Sequence, residues 1–266
     1  MGVLNATPDS FSDGGLHDEP DAAVAHGFAL VGAGVDVVDV GGESTRPGAD
    51  PVSAEDEIAR VVPVVERLAT DGVVVSVDTS KAEVARAAVD VGAAIVNDVT
   101  GFGDDAMVDL VAASDVGLVV MHMLGTPRTM QDDPRYEDVV VDVRHHLVER
   151  ASALQARGVE PERIVVDPGI GFGKRLDHNL DLLANVDLIV DAGYPVLVGA
   201  SRKSFIARVI GDVPAAERDG ATIAAHTLAI AAGARVVRVH DGVEGVRSAR
   251  LADAIVRARR PRKGSA

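Results

Sequence analysis

Eight short apolar runs along this chain each end in a polar residue, and most of these endings lead into a Gly, Pro or Ser turn. The endings are Asn5, Asp39, Asp78, Asn97, His122, Asp167, Ser201 and the pair Arg238 and His240, set 19 to 45 residues apart. That spacing leaves room for one helix and its loops each time, which parallel strands require because only a crossover can join them. The pattern predicts an α/β fold, a (β/α)8 barrel of the TIM type. In such a barrel strand interiors build the core and C-terminal strand ends carry the chemistry, so the endings are also candidate active-site residues. A length of 266 residues matches one such domain spanning 1–266.

Strands are expected at 2–5, 35–40, 73–78, 94–97, 117–122, 163–167, 195–199 and 235–240, most of them rich in Val or Ile with little alternation. Helices are expected near 20–33, 53–70, 81–91, 104–114, 138–157, 178–190, 203–209 with 218–232, and 243–259. In 81–91, Val84, Ala87, Ala88 and Val91 recur at helical spacing, with Thr79 or Ser80 to cap the start and Gly92 to end it. Loops 6–19 and 41–52 are long, and 123–137, with Gly125, Pro127 and Pro134, has the make-up of a flap.

With 26 basic against 41 acidic residues the formal charge is -15, which repels nucleic acid and anionic membrane and argues against both as partners. An anionic ligand must then be drawn by a local basic site. The chain has no cysteine, which excludes disulfides, thiolate metal sites and a cysteine nucleophile. No apolar run reaches about 18 residues and no leader pattern opens the chain, so a cytoplasmic location is expected. The basic stretch 257–266 reads as a frayed tail without a role.

Asp167 is followed by Pro168-Gly169-Ile170-Gly171-Phe172-Gly173-Lys174, a turn that lets backbone and a flat ligand approach closely. A carboxylate fixed at a barrel mouth suits a heterocycle with adjacent N–H donors, and Asp78 and Asn97 on other strand ends can complete that edge. Taken singly, each reads more readily as a cap or turn former, and it is the three together, on strands three, four and six, that point to a polar pocket. Ser201-Arg202-Lys203-Ser204 after the seventh strand, and Arg238 with His240 after the eighth, fall where barrels commonly bind phosphate. The competing reading pairs Arg238 with Asp241 or another acid at the mouth. A zinc site on His122 and His240 lacks a third ligand at suitable spacing.

Asn5-Ala6-Thr7-Pro8-Asp9-Ser10-Phe11-Ser12-Asp13-Gly14-Gly15 and Gly41-Gly42-Glu43-Ser44-Thr45-Arg46-Pro47-Gly48 resemble the two signature loops of the dihydropteroate synthase family. Val77-Asp78-Thr79, Asn97-Asp98, Met121-His122-Met123, Asp167-Pro168-Gly169, Ser201-Arg202-Lys203 and Arg238-Val239-His240 extend the resemblance, in order, over essentially the whole chain. One departure is the strand beginning at residue 2, where the family usually carries residues ahead of it.

The resemblance implies condensation of 6-hydroxymethyl-7,8-dihydropterin diphosphate with 4-aminobenzoate, giving 7,8-dihydropteroate and pyrophosphate, with Mg²⁺ as cofactor and a homodimer as the assembly. It implies that Asp78, Asn97, Asp167 and Lys203 hold the pterin, with Arg238 beside the ring and near the diphosphate. Asn5 is the implied metal residue, and Arg238 and His240 share the pyrophosphate region. Thr45, Arg46, Pro47, Phe172, Lys203 and Ser204 shape the aminobenzoate side, and Phe11, Met121 and Gly199 add substrate contacts. Asp9, Asp13, Arg46, Lys203, Arg238 and His240 are the implied catalytic set. Two rivals share the pterin pocket: a methyltetrahydrofolate methyltransferase working with a corrinoid protein, which has no use for Thr45-Arg46-Pro47, and a non-catalytic pterin-binding paralogue.

Overall fold

Valine-rich strands need both faces covered, which a closed sheet with helices outside supplies, and the chain builds one. The computed structural model describes residues 1–7, 19–44 and 48–258. β1 (Gly2–Asn5), β2 (Val38–Gly41), β3 (Val75–Asp78), β4 (Ile95–Asp98), β5 (Gly117–Met121) and β6 (Ile164–Asp167) pair in parallel and in chain order. β7 (Leu197–Val198) and β8 (Val236–Val237) form a second parallel pair. Bridges from Val166 to Val196 and from Gly2 to Val239 join the two sheets at both edges. At the β8–β1 seam Val3 N–H donates to Val239 O at 2.8 Å and Val239 N–H to Met1 O at 3.0 Å. The sheet therefore closes on itself and leaves no open edge.

The crossovers carry α1 (Glu19–Gly32), α2 (Ala54–Thr70), α3 (Ala82–Asp90), α4 (Asp105–Ala112), α5 (Val139–Ala156), α6 (Leu176–Ala184), α7 (Val186–Val190), α8 (Ser204–Ile210), α9 (Asp219–Ala231) and α10 (Gly242–Arg257). Ser53, Asp104, Asp138 and Asp241 start α2, α4, α5 and α10 by accepting from N–H groups of the first turn. Each satisfies an otherwise orphaned donor, and the acids also complement the helix dipole. None of the described helices is long and apolar enough to cross a membrane.

Three expectations are corrected. The helix expected over 178–190 is two, α6 and α7, meeting at Asn185, whose φ of -124° and ψ of 36° break the run. In α3 the buried face is Ala82, Val84, Ala85 and Ala88 rather than one that includes Ala87 and Val91, and Thr79 Oγ1 accepts from Lys81 N–H instead of capping the helix. Loop 123–137, expected to act as a flap, is packed down against its neighbour. Met130 is buried in it, Gln131 Nε2 donates to Gly171 O at 2.8 Å and Tyr136 Oη to Gly173 O at 2.7 Å. Those bonds strap it to the loop after β6.

Candidate active site

Side chains from β2, β3 and β4 and from Arg238, just after β8, meet inside the mouth of the barrel. Arg238 Nε donates to Asp39 Oδ2 at 2.6 Å and its Nη2 to Asp78 Oδ2 at 2.7 Å, while Asn97 Nδ2 donates to Asp39 Oδ2 at 3.0 Å. Burial opposes the charge on Arg238, yet the two carboxylates hold the guanidinium above its ordinary value. The Asp78 carboxyl is pushed up to about 7, chiefly by burial; Arg238 opposes the shift, and Asp39, Glu57 and Asp98 add to it. The pairing of Arg238 with mouth acids is thus realised, though not with Asp241, whose carboxylate caps α10.

What remains open on these groups defines the ligand. Asp78 Oδ1 is buried without a partner. Asn97 has committed its N–H end to Asp39, which leaves its carbonyl oxygen to accept. Asp167 Oδ1 takes Gly169 N–H at 2.7 Å, and its Oδ2 lies 4.0 Å from where a Cβ on Gly199 would stand. Three oxygen acceptors on β3, β4 and β6 suit a flat ligand edge that is rich in N–H donors.

The loop after β6 is fixed carbonyl by carbonyl. Gly169 O accepts from Phe172 N–H, Ile170 O from Lys203 Nζ, Gly171 O from Gln131, Phe172 O from Lys174 Nζ at 2.9 Å and Gly173 O from Tyr136. Gly169 takes φ of +65°, and a Cβ there would stand 1.9 Å from His122 O, so only glycine fits. Lys203 Nζ sits 4.6 Å from the centre of the Phe172 ring, and burial lowers its ammonium to about 8 against the pull of Asp167. Burial raises the Asp167 carboxyl, with Lys203 opposing.

The turn after β7 has its own supports. His226, held down to about 4 by burial, accepts the Ala200 N–H on Nε2 at 3.1 Å. Arg202, at φ of 58°, is fixed by a paired ion contact to Asp219 at 2.8 and 2.7 Å. Ser201 Oγ meets His240 Nδ1 at 2.9 Å, which ties this turn to the end of β8. At the base of the second signature loop, Lys81 Nζ lies 2.5 Å from both Glu43 and Glu57, and Glu43 also accepts the Val52 N–H at 2.9 Å.

Of the expected site residues, Asp78, Asn97, Asp167, Gly199, Lys203 and Arg238 gather at the barrel mouth, where a Cβ on Gly199 would stand 3.9 Å from Lys203 Nζ and 3.8 Å from Arg238 Cβ. Phe172 lies against Lys203, Met121 Cγ is 3.3 Å from the position a Cβ on Gly169 would take, and His240 sits on Ser201. Asn5 ends β1, beside Gly41 in the register, and Ser204 opens α8 as an exposed residue. Asp9, Phe11, Asp13, Thr45, Arg46 and Pro47 lie outside the described residues, as do 259–266 of the basic tail. Sequence reasoning gave no role to Glu57, Lys174 or His226, and named Asp39 only as one of the strand-end candidates. Glu57 was visible as an acid on the apolar stripe Val61, Val64, Val65 and Leu68 of α2.

A family model described as a pterin binding enzyme matches residues 1–240. The dihydropteroate synthase of Mycobacterium leprae is 48% identical over 248 residues, covering 91% of this chain and 87% of the relative. The Xanthomonas albilineans dihydropteroate synthase with 4-aminobenzoic acid superposes with a TM-score of 0.91 at 45% identity, over 98% of this chain and 93% of that one. The Burkholderia cenocepacia dihydropteroate synthase complexed with 7,8-dihydropteroate gives a TM-score of 0.88 at 45% identity, over 97% and 91%.

Proposed function

The chain belongs to the dihydropteroate synthase family of pterin-binding enzymes, and we propose that Asp78, Asn97 and Asp167 bind the dihydropterin, with Arg238 and Lys203 beside it. It is a transferase of folate synthesis, joining 6-hydroxymethyl-7,8-dihydropterin diphosphate to 4-aminobenzoate to give 7,8-dihydropteroate and pyrophosphate. The observation that carries the site reading is the set of three acceptors that internal bonding leaves over: Asp78 Oδ1, the Asn97 carbonyl oxygen and Asp167 Oδ2.

In this reading the C–O bond at the pterin methylene breaks first, pyrophosphate leaving with the bonding pair, and the aminobenzoate nitrogen then bonds to that carbon and releases one proton to water. Buried carboxylates around the ring stabilise the cation that develops on it, so no protein nucleophile is needed. Arg238 and His240, after β8, receive the departing anion. Phe172 and Lys203 offer an aromatic face and a cation to the aminobenzoate. Thr45, Arg46 and Pro47, together with Asp9, Phe11 and Asp13, enter through the family motif alone.

Magnesium belongs to the same reading. Asn5 offers a single amide oxygen, and among the described residues no group of three His, Asp or Glu could hold a metal ion. One protein oxygen fits an ion that takes most of its shell from phosphate and water. Bound there, it would neutralise charge on the leaving diphosphate. The reading also includes a homodimer, supported by Leu228 on α9 and Leu251 and Ile255 on α10, large apolar side chains exposed on adjoining helices.

A coupled pyrophosphate-release assay tests the function. Release should require both the pterin diphosphate and 4-aminobenzoate. Binding of the pterin without release, or methyl transfer from methyltetrahydrofolate to a corrinoid, would overturn it.

A further inference from the structure

Asp39 on β2 is fully buried, yet its Oδ2 accepts at once from Arg238 Nε and from Asn97 Nδ2. In the closed barrel β8 and β4 each lie two strands from β2, on opposite sides, so one oxygen joins three alternate strands inside the barrel. Its other oxygen, Oδ1, has no partner. A buried carboxylate with an unsatisfied oxygen is costly, and an apolar side chain of similar size would pack the layer at less expense. Stability alone does not account for it.

The chemistry of the amide does. An asparagine side chain can present either its oxygen or its NH₂, and packing scarcely distinguishes the two. A carboxylate only accepts, so facing Asp39 it must be the NH₂ of Asn97 that turns inward. We propose that Asp39 is a positioning residue that sets the hydrogen-bond polarity of the pterin pocket, by forcing the Asn97 carbonyl oxygen toward the ligand and fixing the plane of the Arg238 guanidinium. The inference rests on the reading of Asn97 as a pterin contact. An asparagine at 39 both donates and accepts, so it would let the Asn97 amide bind in either orientation.

Two measurements test this. In the ¹⁵N-labelled ligand-free protein, the Asn97 side-chain N–H, assigned by its absence in Asn97→Ser, should exchange slowly with solvent, and Asp39→Asn should remove that protection. Calorimetry with 6-hydroxymethyl-7,8-dihydropterin should show roughly a ten-fold or greater loss of affinity in Asp39→Asn, with most of that loss absent when Asn97 is already serine. An unprotected Asn97 amide in the native protein overturns the inference, and this result stands even where Asp39→Asn fails to fold. So do additive losses in the double variant, or unchanged affinity in a folded Asp39→Asn whose Asn97→Ser counterpart binds weakly. Unchanged affinity in Asn97→Ser is the distinct outcome that removes the underlying reading of Asn97.

Discussion

Lys174 Nζ lies 2.9 Å from His122 Nδ1 and 2.9 Å from the Phe172 carbonyl oxygen, as a cation only 3% exposed behind the glycine-rich loop. Burial brings its ammonium down to about 7, with Asp167 opposing and Lys203 adding to the shift, and burial together with Lys174 drives His122 to about 2. His122 therefore stays neutral, and while Lys174 is charged its Nδ1 is the acceptor of that contact and its proton sits on Nε2.

A folded-state lysine pKa below the unfolded value of 10.5 means that the folded protein holds fewer protons from about pH 7 upward. Stability should then rise with pH between about 7 and 10.5, and Lys203, lowered to about 8, contributes in the same direction. Lys174→Met should flatten that rise. It should also cost roughly 1–3 kcal/mol at the low end of the window, offset in part by relief of the buried charge, because the Phe172 carbonyl loses its donor. Chemical denaturation of both proteins across the window checks it, and parallel curves would count against the assignment.

Gly169 and Gly199 should respond oppositely to alanine. At 169 the new Cβ would strike the His122 carbonyl at 1.9 Å on a backbone with φ of +65°, and neither atom belongs to a flexible side chain. Gly169→Ala should be unfolded or severely destabilised. At 199 the nearest atoms are at 3.8 to 4.0 Å, ordinary contact distances, but they belong to Arg238, Lys203 and Asp167. Gly199→Ala should keep its unfolding midpoint and lose pterin affinity, since the methyl stands among the groups that meet the ligand. Thermal melts with calorimetry separate the two cases.

The eight strand ends were legible because a polar residue closing a valine-rich run has few other reasons to be there. Asp78, Asn97, Asp167 and Arg238 follow from that logic, and so does the position of Asp39. The role of Asp39 does not, because its partners sit 58 and 199 residues away and meet it only once β8 closes against β1. Lys174 was visible as the last residue of a glycine-rich run, but nothing local says whether such a lysine faces water or a buried histidine. His226 sits in a helix of mostly apolar residues, and its task, holding the Ala200 N–H, depends on how α9 lies on β7. Helix faces drifted for a simpler reason: at alanine-rich positions such as Ala85 and Ala87 the apolar pattern permits two neighbouring faces.

Lys81 neutralises two carboxylates, and among the described residues it is the one cation paired with Glu57, which is fully buried. Burial works against the Lys81 charge, but hydrogen bonds to Glu43 and Glu57 hold its ammonium above the usual value. Lys81→Met should strand the Glu57 carboxylate and cost about 3 kcal/mol or more. Restoring neutrality with Glu57→Gln in the same chain should recover part of that loss. An unfolding series on the single and double variants gives the coupling; strictly additive losses would show that the ion pair is not what Lys81 supplies.

Asp78 sets function against stability, with opposite signs that can be read separately. Its carboxyl sits at about 7 in the folded protein against 3.8 for the ordinary group, raised first by burial, with Arg238 opposing and Asp39, Glu57 and Asp98 adding like charge. A raised folded-state value means that its contribution to stability is complete below about pH 4 and is lost as pH rises through about 7. Above that, the ligand-free fold carries an ionised carboxylate whose Oδ1 has no partner. Pterin binding wants that ionised form, because a carboxylate accepts from two donors and a protonated acid returns an N–H-repelling proton to one of them. Affinity for 6-hydroxymethyl-7,8-dihydropterin should therefore fall on acidification below about pH 7, while the same acidification relieves the Asp78 strain on the fold. Asp78→Asn should bind pterin weakly at every pH, with a flattened acid limb. In the ligand-free state it should match the native protein near pH 5, where both side chains are neutral, and melt higher near pH 8, where only the native one is charged. A variant that melts lower by the same margin at both pH values would show that the Asp78 charge does not strain the ligand-free fold, and one that keeps native pterin affinity would remove Asp78 from the ligand site.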